Sequence, residues 1–235
     1  MGESASTFLG LPWQLWQSLA LSLRLATVTT LLLALVGLPL AQWINTTRMR
    51  IAPAIEAIVT LPIVLPPTVI GFYLLIALSP GYPPGSWWRD AFGEPLTFSF
   101  PGLVLASVVY SLPFAMQPFQ AALREIPGEL LDAGSTLGAP PFRVWRRLHL
   151  PLAWRGVAAG LTLGFAHTLG EFGVVLMIGG SIPGVTRVAS IALYDEVQAL
   201  NLGQAHIFAA VLLAVSFGLL LIVTWLQRRR NRVSS

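Results

Sequence analysis

The chain has 235 residues, 55% of them hydrophobic and only 10% charged, with a mean hydropathy of +0.72 and a formal net charge of +4. A soluble domain carries about a quarter charged residues, so this composition places the chain in a bilayer. There is no cysteine, and all 14 basic residues are arginine, which excludes disulfides, thiolate metal sites, a P-loop lysine and Schiff-base chemistry.

About 20 apolar residues cross a hydrocarbon core. Five segments meet that length: 15–44, 58–78, 98–123, 157–178 and 204–226. Each is expected to be helical, because an isolated strand leaves its backbone unsatisfied in lipid. The predicted fold is an all-α integral membrane protein, about five transmembrane helices forming one domain over 1–235. The first residues carry Glu3 and no basic cluster, so the first apolar run reads as a retained span and not as a cleaved leader. Its charge-free part is 25–44. Arg24, in its outer part, either snorkels outward or offers a cation to the outer side.

Span two holds Leu61-Pro62-Ile63-Val64-Leu65-Pro66-Pro67-Thr68-Val69-Ile70-Gly71. Each proline removes a helical hydrogen bond and favours a kink. In lipid the freed carbonyls survive only inside protein or beside a water-filled path. The cluster around Pro66, Pro67 and Gly71 is therefore either a static kink for packing or a bend that lines a pathway. The loop that follows, 79–95, is dense in Pro and Gly, and Trp87 and Trp88 suit the headgroup level.

After span three comes a polar stretch, 124–155. Its first helix is expected over 127–137, with Pro127 at the first position, Glu129 and Asp132 near the positive end of the dipole, and Gly138 ending it. A second helix starts at Pro140-Pro141. It carries Val144, Trp145 and Leu148 on one side and Arg143, Arg146 and Arg147 on the other, and Pro151 is expected to limit it. From periodicity alone this hairpin is either an interfacial pair of helices on anionic lipid or a surface gripped by another protein.

In span four His167 and Glu171 stand four residues apart, on one helical face. Ionisable groups at that depth usually face a bundle interior. They read either as a gating pair on a pathway or as an interior hydrogen-bonded pair. The three histidines, His149, His167 and His206, have no metal-ligand spacing.

The arginines set the orientation. Arg48 and Arg50 follow span one. Arg124, Arg143, Arg146, Arg147 and Arg155 follow span three, and Arg228, Arg229, Arg230 and Arg232 form the tail. The two remaining loops hold only Arg89 and Arg187, beside Asp90, Glu94, Asp195 and Glu196. The N-terminus is expected outside, with the hairpin and the C-terminus in the cytoplasm. The high pI of about 10.3 then reflects topology and not nucleic-acid binding.

The hairpin carries a longer pattern. Asp132-Ala133-Gly134, three residues, Gly138, nine residues and Leu148-His149-Leu150-Pro151 resemble the EAA loop of bacterial ABC-importer permeases. That loop reads Glu-Ala-Ala, three residues, Gly, nine residues, Ile-x-Leu-Pro. Here Asp stands for Glu, Gly for the second Ala and Leu for Ile; Gly134 weakens a helix by about 1 kcal/mol relative to Ala. The 61–71 segment resembles the second-span signature of molybdate permeases. So do Leu169-Gly170-Glu171-Phe172-Gly173, Ser181-Ile182-Pro183-Gly184-Val185-Thr186-Arg187 and Ile191-Ala192-Leu193-Tyr194. The resemblance runs from about Ser18 to Leu226, and sulfate/thiosulfate permeases share much of it.

The resemblance implies a type I, MetI-like permease subunit of an ABC importer with a cytoplasmic coupling-helix hairpin in a bacterial or archaeal inner membrane. The chain would be a pore subunit and not an enzyme. It would pair with a second copy of itself and bind two ABC ATPase subunits, which use ATP and Mg2+; the chain itself would bind no cofactor or metal. A periplasmic binding protein would deliver molybdate or tungstate. The implied docking residues are Glu129, Asp132, Ala133, Gly134, Gly138, Arg143, Leu150 and Pro151. Pro66, Pro67, Gly71, His167 and Glu171 are the candidates for the pathway or gate. Two alternatives stand beside this. An ATP-independent carrier would often show inverted repeats, and none is visible. A membrane enzyme would have few means of catalysis, because the chain lacks Cys, Lys and clustered acids or histidines.

Overall fold

The computed structural model describes residues 7–8, 11–127, 129 and 140–233. A two-residue antiparallel pairing, β1 (Thr7–Phe8) with β2 (Leu11–Pro12), leads into α1 (Trp13–Leu32). All other regular structure among the described residues is helical, as expected.

α1 passes through a wide π-turn, Leu33–Gly37, into α2 (Leu38–Thr46), and the whole run is apolar over 34 residues. The wide turn directly precedes Pro39. Proline has no N–H and clashes with the carbonyl four residues back, and that carbonyl, on Leu35, lies inside the turn. A local i→i+5 register lets the helix continue. The expected first span, 15–44, thus lies inside one helical run.

The second expected span, 58–78, is two helices. α3 (Ala52–Val64) and α4 (Pro67–Leu78) meet at a bend of 118°. Pro66 and Pro67 together remove two donors, and a residue before proline is pushed out of the α region. Leu65 (ψ 141°) and Pro66 (ψ 137°) are accordingly extended. Beyond it α5 (Gly85–Phe92) ends at left-handed Gly93, φ 79°. Trp88 packs on Phe92 with ring centroids 4.1 Å apart, while Trp87 stays exposed.

α6 (Phe100–Arg124) starts where Ser99 Oγ accepts from the Gly102 N–H at 3.2 Å. The next described helix, α7 (Pro141–Val144), enters a second π-turn, Trp145–His149, and runs on into α8 (Leu150–Gly170). Pro151 therefore does not end the hairpin's second helix. As at Pro39, the wide turn before the proline carries the helix past it, so the hairpin arm and the fourth span are one rod. That rod breaks after Gly170 and resumes as α9 (Gly173–Gly179) with a 60° bend. α10 (Ala189–Gln198) and α11 (Leu202–Val233) complete the chain. The expected first hairpin helix, 127–137, lies outside the described residues apart from 127 and 129.

α6 is the hub. Near its C-terminal end Ala115, Phe119 and Leu123 pack with Leu33, Ala41 and Ile44 of the first run, Ile55 and Val59 of α3, and Ala153 and Val157 of α8. Near its N-terminal end Leu103 and Val104 pack with Leu21 and Leu25 of α1 and Val175 of α9. Ala106 packs with Ile70, Leu78, Val174 and Ile178. So α1–α2 run with α6, whereas α3–α4 and α8–α9 run against it from end to end. Phe208 of α11 packs on Leu15 and Leu19, which places the start of α11 beside the start of α1. Three described helices are long and apolar enough to cross a membrane, and five segments pass if each bent pair is one crossing.

α8 meets α6 through Gly156, Gly160 and Gly164. A Cβ at Gly156 would strike Ala122 Cβ and lie 2.7 Å from the Pro118 carbonyl. At Gly160 it would lie 2.5 Å from the Phe119 ring and 2.6 Å from the Ala115 carbonyl; at Gly164, 2.8 Å from Leu33. Small residues every fourth position let helix backbones approach closely, which drives association in lipid.

Candidate functional site

The two helix breaks meet. The Cβ position of Gly173, just after the second break, is 2.8 Å from Pro67 Cβ, and that of Gly71 is 2.8 Å from Met177 Cβ. α4 and α9 thus pack directly on each other, and neither glycine tolerates a side chain without displacing its neighbour. Pro66, Pro67 and Gly71 come together with the Glu171 end of span four, residues about a hundred positions away in the chain. Ser190 Oγ of α10 donates to the Glu171 carbonyl at 2.6 Å, satisfying one backbone acceptor at the break.

Glu171 and His167 are not a pair. The helix ends at Gly170, so Glu171 is extended (ψ 135°) and the four-residue register is lost. Glu171 is 4% exposed and its carboxyl group lies by the buried Ser107 hydroxyl of α6, without a well-aligned hydrogen bond to any described residue. Burying such groups is costly, and ionisable groups at this depth mark elements that work.

His167 instead joins α8 to α6. Its Nδ1 is 2.9 Å from Ser111 Oγ, which is 2.9 Å from Thr168 Oγ1, which donates to the Gly164 carbonyl at 2.9 Å. Proton counting orders this chain. The single Thr168 hydroxyl proton goes to Gly164. The Ser111 proton must then go to Thr168, so His167 Nδ1–H donates to Ser111. The ring thus holds a proton on Nδ1. Phe114 stacks on the ring at 3.8 Å and Tyr110 lies at 4.8 Å. Ser111→Ala would strand a half-buried Nδ1–H and leave Thr168 without its donor. It is expected to destabilise the protein by about 1–3 kcal/mol, read as a lowered midpoint in thermal unfolding in detergent, whereas Ser86→Ala, in the loop-side helix α5, leaves the midpoint in place.

Sequence reasoning pointed to His167 and Glu171 but not to Ser107, Ser111, Thr168, Tyr110 or Ser190. The four-residue spacing of Ser107 and Ser111 along α6 was an available signal, since both face inward. Arg24 extends its guanidinium over the Phe100 ring, 4.4 Å from the centroid, at the N-terminal end of α6. It is exposed there. Among the described residues no group of three or more His, Cys, Asp and Glu is arranged to hold a metal ion.

At the opposite end lie the described parts of the hairpin. Glu129 and Arg143 are exposed, Leu150 is half-buried and Pro151 is exposed; Asp132, Ala133, Gly134 and Gly138 lie outside the described residues. Arg146 and Arg147 point outward while Val144, Trp145 and Leu148 are half-buried, as the pattern predicts. His149 is buried and its Nδ1 is 2.9 Å from Gln42 Oε1 of α2. Burial pushes its imidazole below the ordinary range. Arg124 pairs with Glu56 at 2.9 Å and with Asn45 Oδ1 at 3.0 Å; exposed, this pair contributes under about 1 kcal/mol. Between the ends of α6 and α8 is a cavity of about 500 Å³ that includes Pro118, Glu125, Pro127, Leu152 and Arg155.

A family described as binding-protein-dependent transport system inner membrane component matches residues 34–232. The chain is 47% identical over 212 residues to the molybdenum transport system permease protein ModB of Azotobacter vinelandii, covering 90% of this chain and 93% of that one. To ModB of Haemophilus influenzae it is 36% identical, covering 76% of this chain and 78% of the relative. Among solved structures, a bacterial ABC transporter involved in alginate import superposes with a TM-score of 0.77 at 18% identity, over 94% of this chain and 81% of that one. The MetNI methionine ABC transporter in an inward-facing form gives 0.69 at 19% identity, over 92% and 96%. At that identity the likeness bears on the fold alone, and it matches the expected importer-permease architecture.

Proposed function

Because the chain belongs to the family of binding-protein-dependent transport system inner membrane components, we propose that it is the membrane-spanning subunit of an ABC importer for molybdate, with tungstate as a second cargo. What supports the substrate is the near full-length likeness to relatives named for molybdenum transport. The chain is a pore subunit. ATP and Mg2+ belong to separate ATPase subunits, and the chain binds no cofactor itself.

Two copies pair in an inner membrane, each with five crossings, the N-terminus outside and the C-terminus in the cytoplasm. The arginine distribution supports this orientation. A periplasmic binding protein delivers the anion. The hairpin residues Glu129, Asp132, Ala133, Gly134, Gly138, Arg143, Leu150 and Pro151 seat the ATPase. Its closure on ATP moves the hairpin and, with it, the rod formed by α7 and α8. The abutting breaks at Pro66–Pro67 and Gly170–Phe172 act as hinges that expose the pathway to the two sides in turn. Gly71 permits their contact. His167 and Glu171 line the moving element without gripping cargo: the Nδ1–H of His167 is spent on Ser111, and a carboxyl group does not attract an oxyanion. A weak path suits a permease served by a binding protein, because tight mid-membrane binding would slow release.

The test of substrate is uptake of labelled molybdate by the reconstituted complex with its binding protein, in competition. Tungstate is expected to compete with molybdate at near-equal concentration, and sulfate only at large excess. Equal competition by sulfate would assign the chain to sulfate/thiosulfate import instead.

A further inference from the structure

We propose that His149 is a positioning residue which transmits movement of the docking hairpin to the first span through its hydrogen bond to Gln42. The inference rests on the hairpin being the ATPase socket, and it names the contact by which that socket reaches the rest of the fold.

His149 is the last residue of the π-turn Trp145–His149, and the Leu150 N–H bonds back to the Trp145 carbonyl across it. One residue of a helix turns about 100°, so the extra residue in this turn decides which side chain faces inward. It brings His149 inside, 7% exposed, while Arg146 and Arg147 remain exposed. A histidine that closely follows two exposed arginines would ordinarily face water too. Here its Nδ1 lies 2.9 Å from Gln42 Oε1, on a segment 107 residues distant in sequence. An amide oxygen only accepts, so His149 donates from Nδ1. The next residue, Leu150, packs into the cluster that includes Ala41, Ile44 and Trp43 of the same helix.

Gln42 belongs to a helical run that is continuous from Trp13 to Thr46. That run touches α8 again where Leu33 meets Gly164, and reaches Val175 of α9, beyond the helix break, through Leu21 and Leu25. A displacement at His149 therefore has a route, through one continuous helical run, to the element after the break. The paired wide turns, one in each of the helices that this bond joins, give both rods a place to shift register. π-turns inside helices are often found at working sites.

The experiment uses the full complex of permease, ATPase subunits and binding protein in vesicles. It reads ATPase co-purification, molybdate-stimulated ATP hydrolysis and uptake per ATP hydrolysed. His149→Leu is expected to keep the ATPase subunits bound while uptake per ATP falls about fivefold, the scale of one neutral hydrogen bond. His149→Asn, whose Nδ2–H can reach the place of Nδ1, is expected to recover to within about twofold of the parent on the same scale. Gln42→Leu should match His149→Leu, and the double variant should be no worse than either single change. Unchanged uptake per ATP in His149→Leu overturns the proposal. So does His149→Asn as impaired as His149→Leu, or a double variant whose loss is the product of the single losses. If Gly138→Arg leaves the ATPase subunits bound and coupled, the socket reading itself fails, and this proposal falls with it whatever His149 does.

Discussion

Gly160→Leu is expected to prevent the helices from assembling, with loss of nearly all monodisperse protein from detergent extracts. At this position a Cβ alone lies 2.6 Å from the Ala115 carbonyl and 2.5 Å from the Phe119 ring. The carbonyl belongs to the α6 backbone and cannot rotate away; Phe119 is fully buried in the main cluster. Overpacking a tight site costs about 1–3 kcal/mol for a few methylenes, and more when backbone must move. In a bilayer there is little hydrophobic drive to offset this, because lipid is as apolar as the partner helix. The neighbouring Gly156 sits on the same stripe against Ala122 and Pro118, so separating the helices at Gly160 loses that close approach as well. Gly218→Leu is the matched control: nothing lies within 4 Å of that Cβ position. Its yield and unfolding midpoint should equal those of the parent. If Gly160→Leu accumulates and unfolds like Gly218→Leu, the close approach of α8 to α6 is not what holds the bundle.

Gly138→Arg and Asp132→Lys are expected to uncouple the protein without unfolding it. Both residues fall on the polar stretch 124–155 that is proposed to seat the ATPase. Gly138→Arg puts a long charged side chain where the sequence offers none, and a charge reversal at Asp132 adds positive charge to a stretch already rich in arginine. Loss of a hot-spot contact at an interface removes about 2 kcal/mol or more. Substrate-stimulated ATP hydrolysis and uptake should therefore both fall by about tenfold or more, since each 1.4 kcal/mol is a factor of about ten. Membrane insertion and unfolding midpoint should stay with the parent, as neither residue lies within a span. Coupling that survives both changes would show that the ATPase docks elsewhere.

Several parts of this fold are visible in the residues before any coordinates. Long apolar runs locate the helices, because lipid leaves the backbone no alternative. The period of Val144, Trp145 and Leu148 against Arg143, Arg146 and Arg147 gives the correct buried face of the hairpin arm. Other parts depend on distant residues and were not visible. The prolines of 62–67 announce a bend, yet nothing local says that it reaches 118° or that Pro67 will abut Gly173. The expected pairing of His167 with Glu171 presumed an unbroken helix; Gly170 ends it, and Ser111 on another helix takes the histidine. Pro151 was expected to stop a helix, but the π-turn before it absorbs the missing donor. Such a turn has no strong local signature, because it is chosen by what its residues can reach, here Gln42 for His149. The four-residue spacing of Ser107 and Ser111 puts both on one face of α6, but it does not say which residues of the opposite helix they meet.

The most direct measurement is uptake of labelled molybdate into vesicles that contain this chain, with and without its ATPase subunits and ATP. With the substrate-loaded binding protein outside, accumulation is expected only when the ATPase subunits and ATP are both present. It should stop with a non-hydrolysable analogue. Accumulation by the chain alone would contradict this account and identify an ATP-independent carrier.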